Sequence, residues 1–349
     1  MAKEHEYRFC FGPWNISEGA DPYGPPTRPP QGFDSKLDQL KKLGFDAMMF
    51  HDDDAVPDID GKSPRQITAE AKELRKKLDG AGIAAEMVAP RLWFSPMTID
   101  GAYTSNDPKA RQYAIDRSLR TIDIAKILGT DLIVLWLARE GTYLREAKSG
   151  RKSLDYLVTA LDKMLAHDKK IRLAIEPKPN EPMDHAYIPT IGHALAVAQL
   201  TMDSKRVGAL IETAHAILAG LDPADEIDFV MSFDKLWSLH LNDQNGLKFD
   251  QDKPFGSTNL RSAFNQVRVL ERNGYGKKGE YVCFDVHSFR ATRPEHAVAH
   301  LENSRRTFLR LLEKARTFDE KTAGRLIAER DYQALDQLVI EHLLGGPKS

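Results

Sequence analysis

The sequence of 349 residues predicts an α/β protein, a (β/α)8 TIM barrel with a C-terminal helical extension. Three observations predict this fold. Short apolar runs of strand length recur along the chain, helical periodicity fills the segments between them, and polar residues stand at the C-terminal ends of the runs. The alternative is a doubly wound open sheet, because that fold is built from the same alternation of strands and helices.

The strands are predicted from short apolar runs that are bounded by polar or turn-forming residues. A (β/α)8 barrel needs eight of them, each followed by a helix. The sequence contains eight such runs: Tyr7–Gly12, Ala47–Phe50, Ala84–Val88, Leu132–Trp136, Leu173–Ile175, Val207–Ile211, Leu236–Leu241 and Tyr281–Phe284.

The helices are predicted from apolar residues that recur with helical spacing between the runs. Several strands follow a glycine that can end the preceding helix, as at Gly44, Gly82 and Gly129. The predicted helices include Leu37–Leu43, Ile67–Ala81, Ala110–Leu128, Leu154–His167, Ile191–Leu200 and Arg261–Asn273.

Polar residues at the ends of the runs favour the barrel over the open sheet, because barrel enzymes assemble their sites at the C-terminal ends of the strands. No glycine-rich dinucleotide or P-loop pattern follows a strand, so a nucleotide site is not supported. The residues at or just past the run ends are His51, Arg139, Glu176, Glu212, His240 and Asp285.

The domain organisation follows from the last predicted strand. Residues 1–300 are predicted to form the barrel, with the site at the C-terminal ends of its strands. Residues 301–349 are almost continuously helical in pattern and are predicted to form a helical arm. Apolar residues on such an arm need a surface to cover, and we expect a neighbouring subunit to provide it.

Composition excludes several classes of function. Lys and Arg number 49 against 51 Asp and Glu, so no net field attracts nucleic acid or an anionic membrane. Cys10 and Cys283 each lie in an apolar run, which predicts buried thiols rather than a disulfide or a metal pair. The N-terminus lacks the apolar region of a signal peptide and no run is long enough to span a bilayer, so we expect a cytoplasmic protein.

The segment Lys248–Asp252 indicates a metal site, because Asp250 and Asp252 alternate on a short loop and can converge on one hard cation. Four other segments place carboxylates and imidazoles after strands in the same way. They are Phe50–Asp54, Ile175–Pro179, Ile211–His215 and Phe284–His287. Together the five segments predict a two-metal enzyme.

The chain resembles the xylose isomerase family, in particular its shorter class. The resemblance runs from end to end, and its specificity comes from many short motifs that follow one another in the family's order. The motifs are Phe11-Gly12-Pro13-Trp14, Asp21-Pro22-Tyr23-Gly24, Phe50-His51-Asp52-Asp53-Asp54, Thr104-Ser105-Asn106-Asp107, Leu135-Trp136, Arg139-Glu140-Gly141, Glu176-Pro177-Lys178-Pro179, Glu212-Thr213-Ala214-His215, Phe249-Asp250-Gln251-Asp252 and Phe284-Asp285.

The resemblance implies two divalent ions, Mg²⁺, Mn²⁺ or Co²⁺, and no organic cofactor. Such ions remove the mutual repulsion of clustered carboxylates. The implied ligands of the first ion are Glu176, Glu212, His240 and Asp285. The implied ligands of the second ion are Glu212, His215, Asp250 and Asp252, so that Glu212 bridges the two.

The resemblance also implies an activity, the conversion of D-xylose to D-xylulose or of a related aldose to its ketose. His51, oriented by Asp54, would help to open the sugar ring, and Lys178 would polarise the carbonyl oxygen at carbon 1 before a 1,2-hydride shift. The implied walls of the sugar site are Trp14, Trp93 and Trp136. Tyr23 matches a family residue that enters the neighbouring subunit's site, which implies a homo-oligomer, a dimer or tetramer.

Departures from the family pattern leave two alternatives open. His240 stands where the family has a ligating Asp, Leu137 and Ala138 stand where it has a glycine pair, and His287 replaces a Lys. Through the His in this strand, the chain is similar to the ketose 3-epimerases, which bind one metal through Glu, Asp, His and Glu. A ketose 3-epimerase is therefore the first alternative. The second alternative is a barrel that binds a sugar without turning it over.

Overall fold

The computed structural model describes residues 6–21 and 23–345 and contains a closed barrel of eight strands. Each strand pairs in parallel with the next in the sequence, and the last pairs with the first. The predicted (β/α)8 fold is confirmed, and no strand end differs from its predicted position by more than one residue. The barrel strands are β1 Arg8–Phe11, β2 Ala47–His51, β3 Ala84–Ala89, β4 Leu132–Trp136, β5 Arg172–Glu176, β6 Val207–Glu212, β7 Leu236–His240 and β8 Tyr281–Cys283.

The helices extend the predicted segments mainly at their N-terminal ends. Several of these helices begin with a capping residue, which the apolar periodicity does not detect; Ser63 and Asp107 are two such caps. Gly82 and Gly129 adopt positive φ angles of 71° and 85° and end their helices as predicted. The helices are α1 Phe33–Lys42, α2 Asp52–Ala55, α3 Pro64–Ala81, α4 Pro108–Leu128, α5 Gly150–His167, α6 Ile191–Leu200, α7 Thr213–Leu218, α8 Pro223–Ser232, α9 Leu260–Asn273, α10 Ala299–Thr317, α11 Glu320–Glu329 and α12 Tyr332–Leu344.

The apolar core has two parts. The larger part joins the outward faces of the strands to the surrounding helices, and it contains residues such as Phe9, Phe50 and Leu40. The smaller part comes from strand residues that fill the barrel interior, including Cys10 and Cys283. These two thiols are buried and free, and they lie opposite each other in the pairing of β1 with β8.

Two strand pairings shift their register. Met48 pairs with Ala85 but Phe50 pairs with Val88, so β3 carries one extra residue at this point. Ala209 pairs with Leu236 but Leu210 pairs with Ser238, so β7 also carries one extra residue. Such β-bulges change which side chains face the barrel interior.

The C-terminal segment packs on the barrel of its own chain. In α10, the ring of Phe308 lies 5.1 Å from that of Tyr7 and 5.6 Å from that of Phe9. The next two helices reach α9, where Arg268 pairs with Glu320. Large apolar side chains remain exposed on these helices, among them Ile327, Tyr332 and Leu344. No helix in the described part of the chain is both long and apolar enough to cross a bilayer.

Candidate active site

Four buried polar residues stand at the C-terminal end of the barrel. Glu176, Glu212 and His240 are the last residues of β5, β6 and β7, and His215 lies in the first turn of α7. Their side chains are 7% exposed or less. Since parallel strands present their carboxyl ends at one edge, three strand-terminal residues become neighbours without any long loop.

Glu212 is the centre of this cluster. His215 Nε2 lies 3.2 Å from Glu212 Oε1, and His240 Nδ1 lies 3.9 Å from Glu212 Oε2. Three groups of possible ligand atoms lie within 4.8 Å of one another, and Glu212 belongs to each. The groups are Glu176 with Glu212 and His215, Glu212 with His240 and Asp285, and Glu212 with Asp250 and Asp252. The structure therefore brings together all seven residues that were predicted as metal ligands.

The loop after β7 supplies Asp250 and Asp252. Asp252 adopts a left-handed backbone conformation with φ 43°, which is uncommon for a residue other than glycine. Its carbonyl oxygen accepts a hydrogen bond from the His287 backbone N–H at 2.7 Å, and its carboxylate lies 3.0 Å from His287 Nδ1. His287 thus holds Asp252 toward the cluster, which gives the substituted residue at 287 a structural role.

Burial and crowding disfavour ionisation of three carboxyl groups. Burial raises the pKa of Glu176 to about 8, and the nearby Asp285 and Asp250 add to the effect. Burial likewise raises the pKa of Glu212 and of Asp252 well above the ordinary values, with contributions from neighbouring carboxylates. Without a cation, burial and mutual repulsion favour the protonated form of these three carboxyl groups.

Asp250 behaves differently because two cationic groups face it. Although burial opposes ionisation, His215 and Lys178 lower the pKa of Asp250. Lys178 Nζ lies 2.8 Å from Asp250 Oδ2 and 3.3 Å from Glu181 Oε2. In this arrangement the Lys178 ammonium balances the charge of the carboxylate that was predicted to bind the second ion.

The donor set fits a divalent cation. Both ring nitrogens of His240, Nδ1 of His215 and Oδ1 of Asp250 are buried and have no hydrogen-bond partner among residues 6–21 and 23–345. Burial lowers the pKa of His240, and the neutral imidazole that results is the form that binds metals. Such unpaired buried groups are unfavourable unless a ligand completes them. The cluster of carboxylates and imidazoles is therefore compatible with divalent metal binding.

Asn242 is a site residue that the sequence analysis did not identify. Its Nδ2 donates to Glu212 Oε1 at 2.9 Å, to Asp252 Oδ1 at 3.2 Å and to the Asp285 carbonyl oxygen at 3.1 Å. Its Oδ1 accepts from the Ala214 backbone N–H at 2.7 Å. Its place two residues after the end of β7 is the signal that could have revealed it.

The second polar group of the cavity contains His51 and Asp54. Asp54 Oδ2 lies 2.8 Å from His51 Nδ1 and accepts from the His51 backbone N–H at 3.0 Å, because β2 turns directly into α2. Two aromatic rings enclose the imidazole, with centroids 4.2 Å away for Trp14 and 5.2 Å away for Trp93. The contact to Nδ1 leaves Nε2 available to a bound molecule.

Arg91 is a second site residue that was not predicted from the sequence. Its guanidinium contacts His51 Nδ1 and lies 3.3 Å from Asp54 Oδ2 and 3.3 Å from Asp53 Oδ1. Nδ1 of His51 therefore has two neighbours of opposite charge, and the tautomer decides which of them it bonds. A lone arginine after β3 has no sequence pattern that marks it as a site residue.

A cavity of 810 Å³ joins the two groups. It is lined by the predicted catalytic residues, by the predicted ligands and by Trp14, Trp93 and Trp136. Lys178 Nζ lies 5.1 Å from the centroid of the Trp136 ring, so the ammonium also faces an aromatic wall. Tyr23 is 75% exposed and does not line the cavity of its own chain, but its ring lies 5.4 Å from that of Phe249, which does.

A family model described as a xylose isomerase-like TIM barrel matches residues 37–305, more than half of the chain. The chain belongs to that family. A xylose isomerase of Thermus thermophilus is 36% identical over 320 residues, which cover 90% of this chain and 81% of the relative. A xylose isomerase of Thermus caldophilus is 34% identical over 339 residues, which cover 94% and 85%.

Solved structures share the fold at lower identity. A D-tagatose 3-epimerase-like protein superposes with a TM-score of 0.63 at 17% identity and covers 88% of this chain and 98% of its own. An L-ribulose 3-epimerase superposes with a TM-score of 0.60 at 16% identity and covers 91% and 98%. At these identities the likeness establishes the barrel and not the reaction.

Proposed function

We propose that this protein is a metal-dependent aldose–ketose isomerase acting on D-xylose or a related aldose. The observation that carries the proposal is the place of Glu212, which belongs to each of three groups of possible ligands within 4.8 Å. A carboxylate shared in this way can act as a bridging ligand between two cations. Family membership and the xylose isomerases at 36% and 34% identity support the same reaction.

The residues divide between two proposed ion sites. Glu176, His240 and Asp285 would bind the first ion with Glu212; His215, Asp250 and Asp252 would bind the second with it. Oxygen ligands with one imidazole at each site suit Mg²⁺, Mn²⁺ or Co²⁺. When bound, these ions would supply electrophilic polarisation of the sugar oxygens at carbons 1 and 2.

The reaction needs no organic cofactor because its atoms and electrons balance within the sugar. The C2–H bond breaks as the hydride moves to carbon 1, where a new C–H bond forms. O2 loses its hydroxyl proton and becomes the carbonyl oxygen, while O1 gains a proton and becomes a hydroxyl. His51 Nε2 would exchange the proton of the ring or anomeric oxygen while the ring opens, with Asp54 holding the opposite nitrogen at 2.8 Å. Lys178 would donate a hydrogen bond to O1.

The apolar walls of the cavity support a sugar as the ligand. Trp93 and Trp136 meet edge to face with centroids 4.4 Å apart, and Trp14 lies against His51 on the same cavity. Flat aromatic faces suit the C–H surface of a sugar and exclude water from the reacting carbons.

We also propose that the chain forms a homo-oligomer. Tyr23 and Phe289 are 75% and 58% exposed beside the cavity mouth, where a neighbouring subunit would cover them. The exposed apolar residues of α11 and α12 offer a second surface for such a contact.

A ketose 3-epimerase is the second candidate, and His240 is the observation that favours it. Its Nδ1 lies 3.6 Å from Asp285 Oδ2, so a single ion could be held by Glu, Asp and His side chains at this side of the cluster. Asp250 and Asp252 would have no ion to bind in such an enzyme. Their convergence on Glu212 supports the isomerase instead.

A screen of aldoses and ketoses in D₂O tests the proposal. The metal-stripped protein is assayed with Mg²⁺, Mn²⁺ or Co²⁺, and both ketose formation and deuterium at the reacting carbons are measured. We expect metal-dependent conversion of an aldose to its ketose without deuterium uptake. Deuterium incorporation with inversion at carbon 3 would establish an epimerase, and no turnover with any ion would contradict both enzymes.

Replacing Asp54 by Asn is expected to slow turnover of a cyclic aldose by about 10²- to 10⁴-fold, the usual contribution of a positioned acid or base. Asn cannot stabilise the protonated imidazole of His51 during ring opening. Steady-state kinetics are measured with an aldopentose and with an open-chain triose aldehyde. A loss confined to the cyclic sugar assigns the effect to ring opening. Metal content is expected to stay the same, since Asp54 belongs to none of the ligand groups.

Asp53→Asn is the matched control. Asp53 precedes Asp54 in the same short helix and pairs with Arg91 at 3.3 Å, but it does not line the cavity. We expect nearly unchanged rates for this variant. An equal loss in the two variants, or an equal loss on cyclic and open-chain substrates, would remove Asp54 from ring opening.

A further inference from the structure

The bulge in β3 turns Glu86 toward the barrel interior. Ala85 packs against the outer core and Val88 belongs to it, whereas Met87 belongs to the interior cluster. Since strand residues alternate, Glu86 and Met87 between the two outward residues must both face inward. Glu86 is accordingly 7% exposed despite its charge.

The bulge in β7 has the same consequence on another strand of the barrel. Leu236 and Leu239 belong to the outer core, so Trp237 and Ser238 between them both face inward. The next inward residue is His240. Ser238 is fully buried, which is unusual for a hydroxyl unless it serves a polar neighbour.

Glu86 on β3 and Ser238 and His240 on β7 are buried polar residues of the barrel interior. Among the described residues, Glu86 Oε2, Ser238 Oγ and His240 Nε2 are buried and make no hydrogen bond. Burial raises the pKa of Glu86 to about 7, and the neighbouring His240 and Ser238 side chains limit this rise. A buried carboxylate in such a place is unfavourable unless it has a function or an ordered water to bind.

Neither ring nitrogen of His240 has a hydrogen-bond partner in the part of the chain that the structure describes. Nδ1 faces the carboxylates, 3.6 Å from Asp285 Oδ2 and 3.9 Å from Glu212 Oε2. An imidazole that gives its Nδ1 lone pair to a cation must carry its proton on Nε2, and such a proton usually bonds to a carboxylate, a carbonyl or water.

We propose that Glu86 is the positioning residue of His240. Its carboxylate accepts a hydrogen bond from the Nε2–H group through one water that Ser238 also holds, and thereby keeps the Nδ1 lone pair directed at the first ion. When it is ionised, Glu86 also supplies a negative charge near the strand end where His240 replaces the expected Asp. The inference rests on the metal site of the proposed function.

A second cavity supports the participation of water. It has a volume of 770 Å³, lies at the N-terminal ends of the strands and includes Glu86, Trp237 and Tyr281 among its lining residues. Water can therefore reach the carboxylate from the end of the barrel opposite the candidate active site. One water with three polar partners at Glu86, Ser238 and His240 is a common arrangement in protein interiors.

The test is the Glu86→Gln variant, with two readouts that do not depend on turnover. Calorimetric titration with Mn²⁺ is expected to show about 10- to 100-fold weaker binding of one ion and little change for the other. In protein labelled with ¹⁵N-histidine, NMR without metal and with Mg²⁺ is expected to find the Nε2–H tautomer of His240 in the wild type. The variant is expected to lose this preference.

Glu280→Gln is the matched control, because Glu280 lines the same lower cavity on its rim. It should leave both readouts unchanged. Ser238→Ala leaves the Glu86 carboxyl group in place. This variant should weaken binding of the same ion by a smaller factor, because it removes one partner of the bridging water. Unchanged binding and an unchanged His240 tautomer in Glu86→Gln would overturn the inference.

The two proposals fail separately. A wild-type protein that binds no divalent ion would overturn the proposed function. The His240 tautomer measured in the metal-free protein would still decide whether Glu86 positions that ring.

Discussion

Glu212→Gln is expected to remove both ions and to lower kcat/KM by about 10³-fold or more, because a bound cation contributes several kcal/mol and about 1.4 kcal/mol corresponds to a factor of ten. Gln keeps the shape of the side chain but provides one neutral oxygen in place of a bridging carboxylate. Elemental analysis after dialysis and steady-state kinetics measure the two effects.

The same variant should fold at least as well as the metal-free wild type. Burial and neighbouring carboxylates raise the pKa of Glu212, so a neutral amide relieves crowding that the metal-free protein otherwise has to neutralise with protons. Glu302→Gln, on the exposed face of α10, is the control for the substitution itself. A Glu212→Gln protein that keeps two ions per chain would contradict the bridging role.

Metal binding is expected to release protons and to tighten steeply with pH. Between pH 6 and 8 an ion must displace protons from Glu176, whose pKa is raised to about 8, and from Glu212 and Asp252, whose pKa values are also raised. The apparent affinity should rise by about tenfold per pH unit for each proton displaced. Calorimetry of Mn²⁺ binding in buffers of different ionisation enthalpy counts these protons.

The free energy of unfolding of the metal-free protein should fall as the pH rises, whereas the affinity for metal should increase. Because the folded pKa of Glu176 lies above its ordinary value of 4.5, the unfolded chain loses this proton first, and the folded state loses stability as the pH rises from 4.5 to about 8. Mn²⁺ at 100 times its dissociation constant adds about 2.7 kcal/mol. The gain in Tm from a fixed Mn²⁺ concentration should therefore be larger at pH 8 than at pH 6, and the reverse order would contradict this account.

The sequence predicted the residues whose place depends on strand ends. Glu176, Glu212 and His240 each end a buried apolar run, and the parallel order of the strands is sufficient to bring them to one edge. Asp250 and Asp252 were recognised by their alternation on a short loop. In these cases local pattern and fold together determine proximity, so no knowledge of loop conformation was required.

The sequence did not predict residues whose contacts depend on loop paths and β-bulges. Asn242 reaches three site residues only because the chain turns after β7, and Arg91 contacts His51 only because the segment after β3 folds across the cavity. Glu86 reads as an exposed residue of an alternating strand until the register shift with β2 is known. Bulges and loop paths depend on tertiary contacts, which apolar periodicity does not encode.

The number and place of bound ions test the central claim most directly. Anomalous scattering from crystals of the wild-type protein soaked with Mn²⁺ is the measurement. We predict two ions, both in contact with Glu212, one also bound by His240 and Asp285 and the other by Asp250 and Asp252. A single ion held by Glu176, Glu212, His240 and Asp285, with Asp250 still paired to Lys178, would contradict the two-metal isomerase and favour the epimerase.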